Sequence, residues 1–137
     1  MKRGFPMIAV VVISLGLAAT IWAYRRANAK AKREAGYQAA LQEYSNEIKP
    51  GLTRNEVESY FRTRGVRFTQ MCCVGQARGA WADLVKVGEE SAPWYCSEYY
   101  VNIAFEFRAT EPHRLWESRD SDVLESVRIF RQLGGCL

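Results

Sequence analysis

The sequence has few of the residues and motifs on which enzyme sites depend. It contains a single histidine, His113, and no glycine-rich loop of the kind that holds a nucleotide phosphate. Cysteine–histidine catalysis needs a base within hydrogen-bonding reach of the thiol, and no pattern places His113 beside a cysteine. Acidic residues near Trp94 and Tyr95 are better explained by the solubility of a turn and a strand edge. We therefore expect no enzymatic activity and no cofactor.

Cysteine spacing also argues against a metal site. Structural zinc sites usually take their ligands from pairs of cysteines that are two to four residues apart. The four cysteines here are Cys72, Cys73, Cys96 and Cys136, and none of their spacings fits that pattern. A thioredoxin-like site needs Cys-x-x-Cys at the start of a helix, which is also missing. We expect neither a metal nor a redox catalyst of that type.

Positive charge is scarce outside the amino-terminal segment. The first 35 residues contain seven lysines and arginines and one glutamate, so the net charge of +4 leaves a slightly acidic remainder. Such a domain offers no basic surface to follow a phosphate backbone. We therefore exclude nucleic acid as the expected partner.

A long apolar run does occur, and it is the strongest signal of location. The stretch from Phe5 to Tyr24 has no charged residue, and a helix of that length covers the hydrocarbon core of a bilayer. Trp22 and Tyr24 would lie at the headgroup level. A cleaved signal peptide is the alternative, but Arg25 and Arg26 separate the run from any cleavage site. We predict that residues 1–24 form an uncleaved membrane anchor.

Two arguments predict opposite orientations for this anchor. Five basic residues follow the span and two precede it, which favours a cytoplasmic carboxyl-terminal domain. An even number of cysteines in a small domain instead favours an oxidising compartment. We expect the domain outside the cytoplasm, which for a bacterial inner-membrane protein is the periplasm.

Two helices are predicted next. Residues 25–48 are rich in helix-forming residues and are predicted to form a juxtamembrane stalk. Its basic half would lie near lipid headgroups or, alternatively, form a solvated helix face with no lipid preference. The stalk has an apolar stripe that would dock on the domain, formed by Ala40, Leu41, Tyr44 and Ile48. Beyond Pro50, Thr53 and Glu56 form a capping box, and Gly65 is placed to end the second helix.

The rest of the chain predicts strands. GVRFTQM starts directly after the second helix and WADLVKVG ends in a turn cluster, and both are predicted strands. Apolar residues alternate clearly in VNIAFEFR, and Val123, Val127, Ile129 and Leu133 are expected on one face of a last strand. Helices followed by neighbouring strands are typical of an α+β layer. We predict that residues 49–137 form a small α+β domain, with a short helix packed on an antiparallel sheet of about three or four strands.

The helix entry from Gly51 to Val57 resembles the Gly-(Leu/Met)-Thr-x-x-x-Val signature of small bacterial envelope lipoproteins of the SmpA/OmlA type. That family pairs helices with a three-stranded antiparallel sheet and assists outer-membrane protein assembly, and beta-lactamase-inhibitor-like domains share the plan. The resemblance implies a binding module of the envelope. The chain differs in having a spanning helix in place of a lipidated cysteine, and in its four domain cysteines.

The cysteines and a group of aromatic residues are the candidate site residues. We expect two disulfides, one joining Cys136 to Cys72 or Cys73 and the other joining Cys96 to the remaining member of the doublet. Reduced, buried thiols are the alternative. The binding-surface candidates are Trp94, Tyr95, Tyr99 and Tyr100, because exposed aromatic side chains suit a protein partner; closure of a small domain is the competing explanation.

These observations lead to a hypothesis of a membrane-anchored, non-catalytic interaction or envelope-assembly accessory with a disulfide-bonded extracytoplasmic domain. Its expected partners are the membrane and an unidentified protein. A cytoplasm-facing regulator that responds to redox state or metal through Cys72 and Cys73 is the alternative.

Overall fold

The computed structural model describes residues 5–74, 81–110 and 117–137. The first helix, α1, runs without a break from Phe5–Glu47, and the chain divides into two compact units within it, Met1–Gly36 and Tyr37–Leu137. The carboxyl-terminal part of the predicted stalk therefore belongs to the same unit as the sheet. His113, which the sequence places in a loop, lies outside the described residues.

The amino-terminal unit presents apolar side chains without covering them. Val10, Leu15 and Trp22 are all more than half exposed, as are most of their apolar neighbours. Among the described residues, α1 is long and apolar enough to cross a membrane.

The second helix, α2, covers Arg54–Arg64 and begins and ends as the sequence predicts. The Thr53 side chain accepts a hydrogen bond from the Glu56 amide, and the Glu56 carboxylate accepts one from the Thr53 amide. Together they satisfy amides that a helix start otherwise leaves unpaired. At the other end, Gly65 has a φ of 67°, a conformation that costs glycine little.

Four strands follow and form one antiparallel sheet in the order β1-β2-β3-β4. They are β1 (Thr69–Cys72), β2 (Trp81–Glu89), β3 (Cys96–Arg108) and β4 (Val123–Cys136). Each strand pairs with its neighbour in the sequence, so β1 and β4 are the edges. The predicted α+β class, with a short helix on a small antiparallel sheet, is confirmed.

The main core lies between α2, the end of α1 and one face of the sheet, which we call the helix face. Phe61 packs on Phe105 with ring centroids 4.9 Å apart, and Tyr44 of α1 contacts Phe105 at 5.5 Å. The fully or nearly fully buried members are Ile48, Val57, Phe61, Val85, Ile103, Phe105, Phe107 and Leu124. Each such side chain contributes about 1.5–3 kcal/mol relative to exposure. The predicted docking of the apolar stripe of α1 is confirmed, since Ile48 is buried and Ala40, Leu41 and Tyr44 pack beside it.

One prediction about β4 is wrong. Glu106 pairs with Ser126 but the next residue, Phe107, pairs with Leu124, so Glu125 is an extra residue in β4. This bulge shifts the alternation by one position. As a result Leu124, not Val123, enters the core beside Phe107.

The opposite face of the sheet, which we call the far face, has a smaller cluster. Ala82, Leu84 and Ala104 are buried there, and Met71, Val74 and Phe130 pack against them. Beside it the Arg128 side chain donates to the Glu106 carboxylate at 2.6 Å and to the Val74 carbonyl at 3.0 Å. The far face therefore connects β4 to the chain just after β1.

Candidate functional site

The Cys96–Cys136 disulfide joins β3 to β4 at one end of the sheet, which we call the stapled end. The two residues are directly opposite in the strand ladder, with Cα atoms 3.9 Å apart. Next to them the Leu137 amide donates to the Tyr95 carbonyl at 2.9 Å. The bond therefore fixes the end of β4 to the start of β3.

The second disulfide joins the adjacent residues Cys72 and Cys73. Two disulfides are present, as predicted, but the predicted pairing of Cys96 and Cys136 with the doublet is wrong. Strand register gives the reason: Cys72 is opposite Trp81, which is opposite Phe107 at the far end of β3 from Cys96. At about 3.3 Å per residue, some 35 Å of strand separates the two places.

The backbone leaves the extended conformation of β1 directly after Cys72. Cys73 has a φ of 68°, in the left-handed region, so its side chain does not continue the alternation of β1. The two sulfur atoms are bonded to each other, so neither is available to Cys96 or Cys136.

The stapled end carries the most exposed aromatic side chains of the described domain. Trp94 is 90% exposed and Tyr95 is 44% exposed, and their rings meet edge to face at 5.8 Å between centroids. Leu137 and Leu133 add exposed aliphatic area nearby in the ladder. We call Trp94, Tyr95 and Leu137 the aromatic tip. Large apolar side chains grouped on a polar surface are typical of contact sites.

Tyr99 and Tyr100 do not extend the tip. They are half-buried, and as successive strand residues they lie on opposite faces of the sheet. The Lys86 ammonium lies over the Tyr100 ring at 4.0 Å, and a hydrogen bond to Glu98 raises the pKa of the Tyr100 hydroxyl. The structure thus brings together two of the four predicted binding residues.

A buried ionic cluster at the other end of the sheet was not predicted from the sequence. Arg54, the first residue of α2, is 1% exposed and pairs with Asp83 of β2, which is fully buried. Its Nε also lies 3.3 Å from a Glu58 oxygen. Glu58 in turn receives hydrogen bonds from Arg62 and, at 2.8 Å, from Gln70 of β1. The cluster ties the helix to both β1 and β2.

Aromatic rings surround this charge. The Arg54 guanidinium lies 4.9 Å from the Phe107 ring centroid and 5.9 Å from that of Trp81, so cation–π attraction partly replaces water. Burial raises the pKa of Asp83 above its ordinary 3.8, while the hydrogen bond and charge of Arg54 oppose that rise. In the described part of the chain, Arg54 Nη1, Asp83 Oδ2 and Trp81 Nε1 are buried without a hydrogen-bond partner.

The sequence does contain a signal for this cluster. Trp81, Asp83 and Val85 alternate toward the helix face, so Asp83 is a carboxylate at a core-facing position. A buried carboxylate requires a charged partner, and the helix entry at Arg54 supplies it. The cluster is a structural clamp, because Arg54, Glu58 and Asp83 pair with one another and their side chains are almost completely buried.

Over residues 5–74, 81–110 and 117–137, no group of three or more histidine, cysteine or acidic side chains is arranged to hold a metal ion. No protein-family model, curated protein or solved structure matches the chain. The functional argument therefore depends on the aromatic tip, the two disulfides and the apolar helix.

Proposed function

We propose that this chain is a membrane-anchored interaction module whose α+β domain lies outside the cytoplasm and binds a protein partner through the aromatic tip. The observation that carries the proposal is Trp94: a tryptophan side chain that is 90% exposed, in the turn two residues before a disulfide that fixes the start of β3. Burying an exposed tryptophan removes a large apolar area from water, and tryptophan is enriched among residues that dominate binding energy.

The disulfide beside the tip supports a binding role. Association costs free energy when the contacting segment must be ordered, and that cost is smaller when the segment is already fixed. Cys96 follows Tyr95 directly, and its amide donates to the Pro93 carbonyl at 2.9 Å. Residues on both sides of Trp94 and Tyr95 are therefore held in the free protein.

Two features support the anchored, extracytoplasmic location. The apolar half of α1 supplies a helix of spanning length, and two disulfides are typical of proteins in oxidising compartments. An assembly role in the bacterial envelope, as the resemblance to SmpA/OmlA-type lipoproteins implies, is a narrower form of the same proposal.

Cysteine accessibility in intact cells tests the location. Cells expressing the full chain are treated with a membrane-permeant alkylating reagent, and the protein is then denatured. The number of alkylated cysteines is counted from the intact mass of the protein, with and without prior reduction. We expect no label before reduction and four labels after it. Four labels without reduction would contradict the proposal and favour a cytoplasmic domain.

Site-specific photo-crosslinking tests the surface. A photoreactive amino acid replaces Trp94 in one variant and Arg67, an exposed residue of the α2–β1 loop, in the control. We expect one defined crosslinked protein from position 94 and none from position 67. The purified partner should then bind the Trp94→Ala variant about tenfold or more weakly than the unaltered protein. Equal affinity of the two proteins would reject the aromatic tip as the binding surface.

A further inference from the structure

The two disulfides differ in what they constrain. The Cys96–Cys136 bond joins residues 40 apart in the sequence, whereas the Cys72–Cys73 bond joins neighbours. In the chain-entropy description, a disulfide stabilises a fold by closing a loop in the unfolded chain, and longer loops give the larger effect. The Cys72–Cys73 bond closes almost no loop. The fold therefore gains little global stability from it.

The same reasoning applies in reverse, because linkage between folding and bond formation is reciprocal. The Cys96–Cys136 bond stabilises the fold by closing a loop of 40 residues, so folding stabilises that bond by the same amount. The equilibrium constant for its reduction by a thiol is therefore roughly a thousandfold smaller in the folded chain than in the unfolded chain. Adjacent cysteines are close in the folded and unfolded chain alike. Folding gives the Cys72–Cys73 bond no comparable protection against reduction.

The local backbone adds to this difference. Cys73 is the single non-glycine residue with a positive φ in the described parts of the chain. A side chain makes that conformation unfavourable, and the bond to Cys72 is the covalent restraint on it. Cleavage of the bond leaves Cys73 able to return to an extended conformation.

Position makes the bond accessible. Cys72 ends β1, a strand of four residues whose one partner among the described strands is β2. It is half-buried, and Cys73 is exposed. A thiolate in solution can therefore approach the Cys73 sulfur from outside the domain. The Cys96–Cys136 bond likewise has one exposed member, Cys136, while Cys96 is buried within the ladder between β3 and β4. Access therefore permits exchange at Cys73, and the difference between the two bonds rests on the loop that each one closes.

We propose that Cys72–Cys73 is a thiol–disulfide exchange site that takes two electrons from a dithiol while Cys96–Cys136 stays oxidised. One thiolate of the dithiol attacks Cys73 Sγ, the bond to Cys72 Sγ breaks, and Cys72 leaves as a thiolate that takes up a proton. The second thiol of the reductant then attacks the reductant sulfur that is bonded to Cys73 Sγ in the mixed disulfide. Cys73 is released and protonated, and the reductant leaves as a disulfide.

The site is connected to the far face of the sheet. Val74 follows Cys73 directly, and its carbonyl accepts the hydrogen bond from Arg128, which also pairs with Glu106. A change at Cys73 moves the Val74 carbonyl relative to β4. Reduction should therefore release Arg128 from Val74 while the pairing of β3 with β4 is kept.

Differential alkylation tests the order of reduction, with the Cys96–Cys136 bond as an internal reference. The full chain in detergent micelles is equilibrated with increasing dithiothreitol without denaturant and quenched in acid. Free thiols are alkylated with light iodoacetamide. The protein is then fully reduced, alkylated with the heavy reagent and digested for mass spectrometry. We expect Cys72 and Cys73 to acquire the light label together, at a dithiothreitol concentration about tenfold or more below that needed for Cys96 and Cys136. Simultaneous reduction of the two bonds, or earlier reduction of Cys96–Cys136, would overturn the proposal.

Reversibility and a matched variant complete the test. Oxidised glutathione should restore the Cys72–Cys73 bond, and phenylarsine oxide, which binds paired thiols, should add once to the reduced protein. The Cys73→Ser variant should not bind the arsenical, and its Cys96–Cys136 bond should need the same dithiothreitol concentration as in the unaltered protein. Failure to re-form the bond, or arsenical binding by the variant, would also overturn the assignment. Both readouts are independent of Trp94 and of any protein partner.

Discussion

The two ends of the sheet are held by different means. At the stapled end, a covalent bond closes a long loop and leaves Trp94 and Tyr95 in solvent. At the other end, Arg54, Glu58 and Asp83 form a buried ionic clamp under aromatic rings, and the disulfide there joins only neighbours. One end is fixed so that its surface can stay exposed, and the other is fixed by excluding water. The stapled end is therefore the part of the domain available for contact, and the end with the ionic clamp is scaffold.

The largest effect is expected from breaking the clamp. Asp83→Ala leaves the Arg54 guanidinium buried without its main partner, and such a change costs about 3–5 kcal/mol. The double variant Arg54→Met/Asp83→Leu removes both charges and should recover most of that loss. Urea-induced unfolding of the full chain in detergent measures both. Equal destabilisation by the single and double variants would show that the charge itself is not the cause.

Removal of the staple should have the next largest effect. The Cys96→Ser/Cys136→Ser variant loses a 40-residue crosslink and should be less stable by about 2–4 kcal/mol. Its matched control, Cys72→Ser/Cys73→Ser, should lose about 1 kcal/mol or less, because no long loop is involved. The midpoint of urea unfolding compares them. A larger loss in the control would remove the distinction between the two disulfides.

A smaller effect is expected between the two ends of the sheet, where Gly88 of β2 lies close to the Tyr37 ring of α1. A Cβ added at Gly88 would lie 2.5 Å from the Tyr37 ring, so Gly88→Ala should cost about 1–3 kcal/mol. The double variant Gly88→Ala/Tyr37→Leu replaces the ring by a smaller side chain and should relieve the clash. Thermal unfolding of the single and double variants checks this, and an unchanged midpoint in Gly88→Ala would refute it.

The smallest effect concerns the attachment of α2 to the end of α1 and depends on pH. Burial, followed by a hydrogen bond to Glu47, raises the pKa of Tyr60 from 10.0 to about 12. The folded state thus favours the neutral phenol. This contribution is complete below pH 10, decreases as pH rises, and is lost above about pH 12.

Tyr60→Phe should therefore show a flatter decline of unfolding free energy over that alkaline range, with a difference of about 1 kcal/mol. Unfolding in urea at a series of pH values measures the slope. Tyr24→Phe, in the amino-terminal unit, is the control and should behave like the unaltered protein. Identical slopes for Tyr60→Phe and the unaltered protein would contradict the assignment.

Local signals in the sequence predicted the local structure. Thr53 and Glu56 define the start of α2 and Gly65 its end, because capping depends on residues within one turn. The alternation in β3 likewise predicted a strand, whose residues Ile103, Phe105 and Phe107 line the core on the helix face; the far face is buried as well. These features depend on neighbours in the chain, so no knowledge of the sheet was needed.

Register was the information that the sequence did not provide. The disulfide pairing depends on which residue of β4 lies opposite Cys96, and a bulge at Glu125 changes the alternation along that strand. The clamp between Arg54 and Asp83 joins residues 29 apart and likewise depends on how α2 lies on the sheet. Asp83 was nevertheless visible as a charged residue in an inward-facing position, and its partner could have been sought.

The order of the strands has a consequence for how the domain is made. Because β1, β2, β3 and β4 pair in sequence order, each strand can join its predecessor as soon as it is synthesised, which is typical of topologies with low contact order. Cys96 can form its bond only after Cys136 at the end of β4 has been synthesised, whereas the partner of Cys72 is the next residue of the chain. Formation of the native Cys96–Cys136 bond therefore requires that the last strand has already been made and has paired with β3.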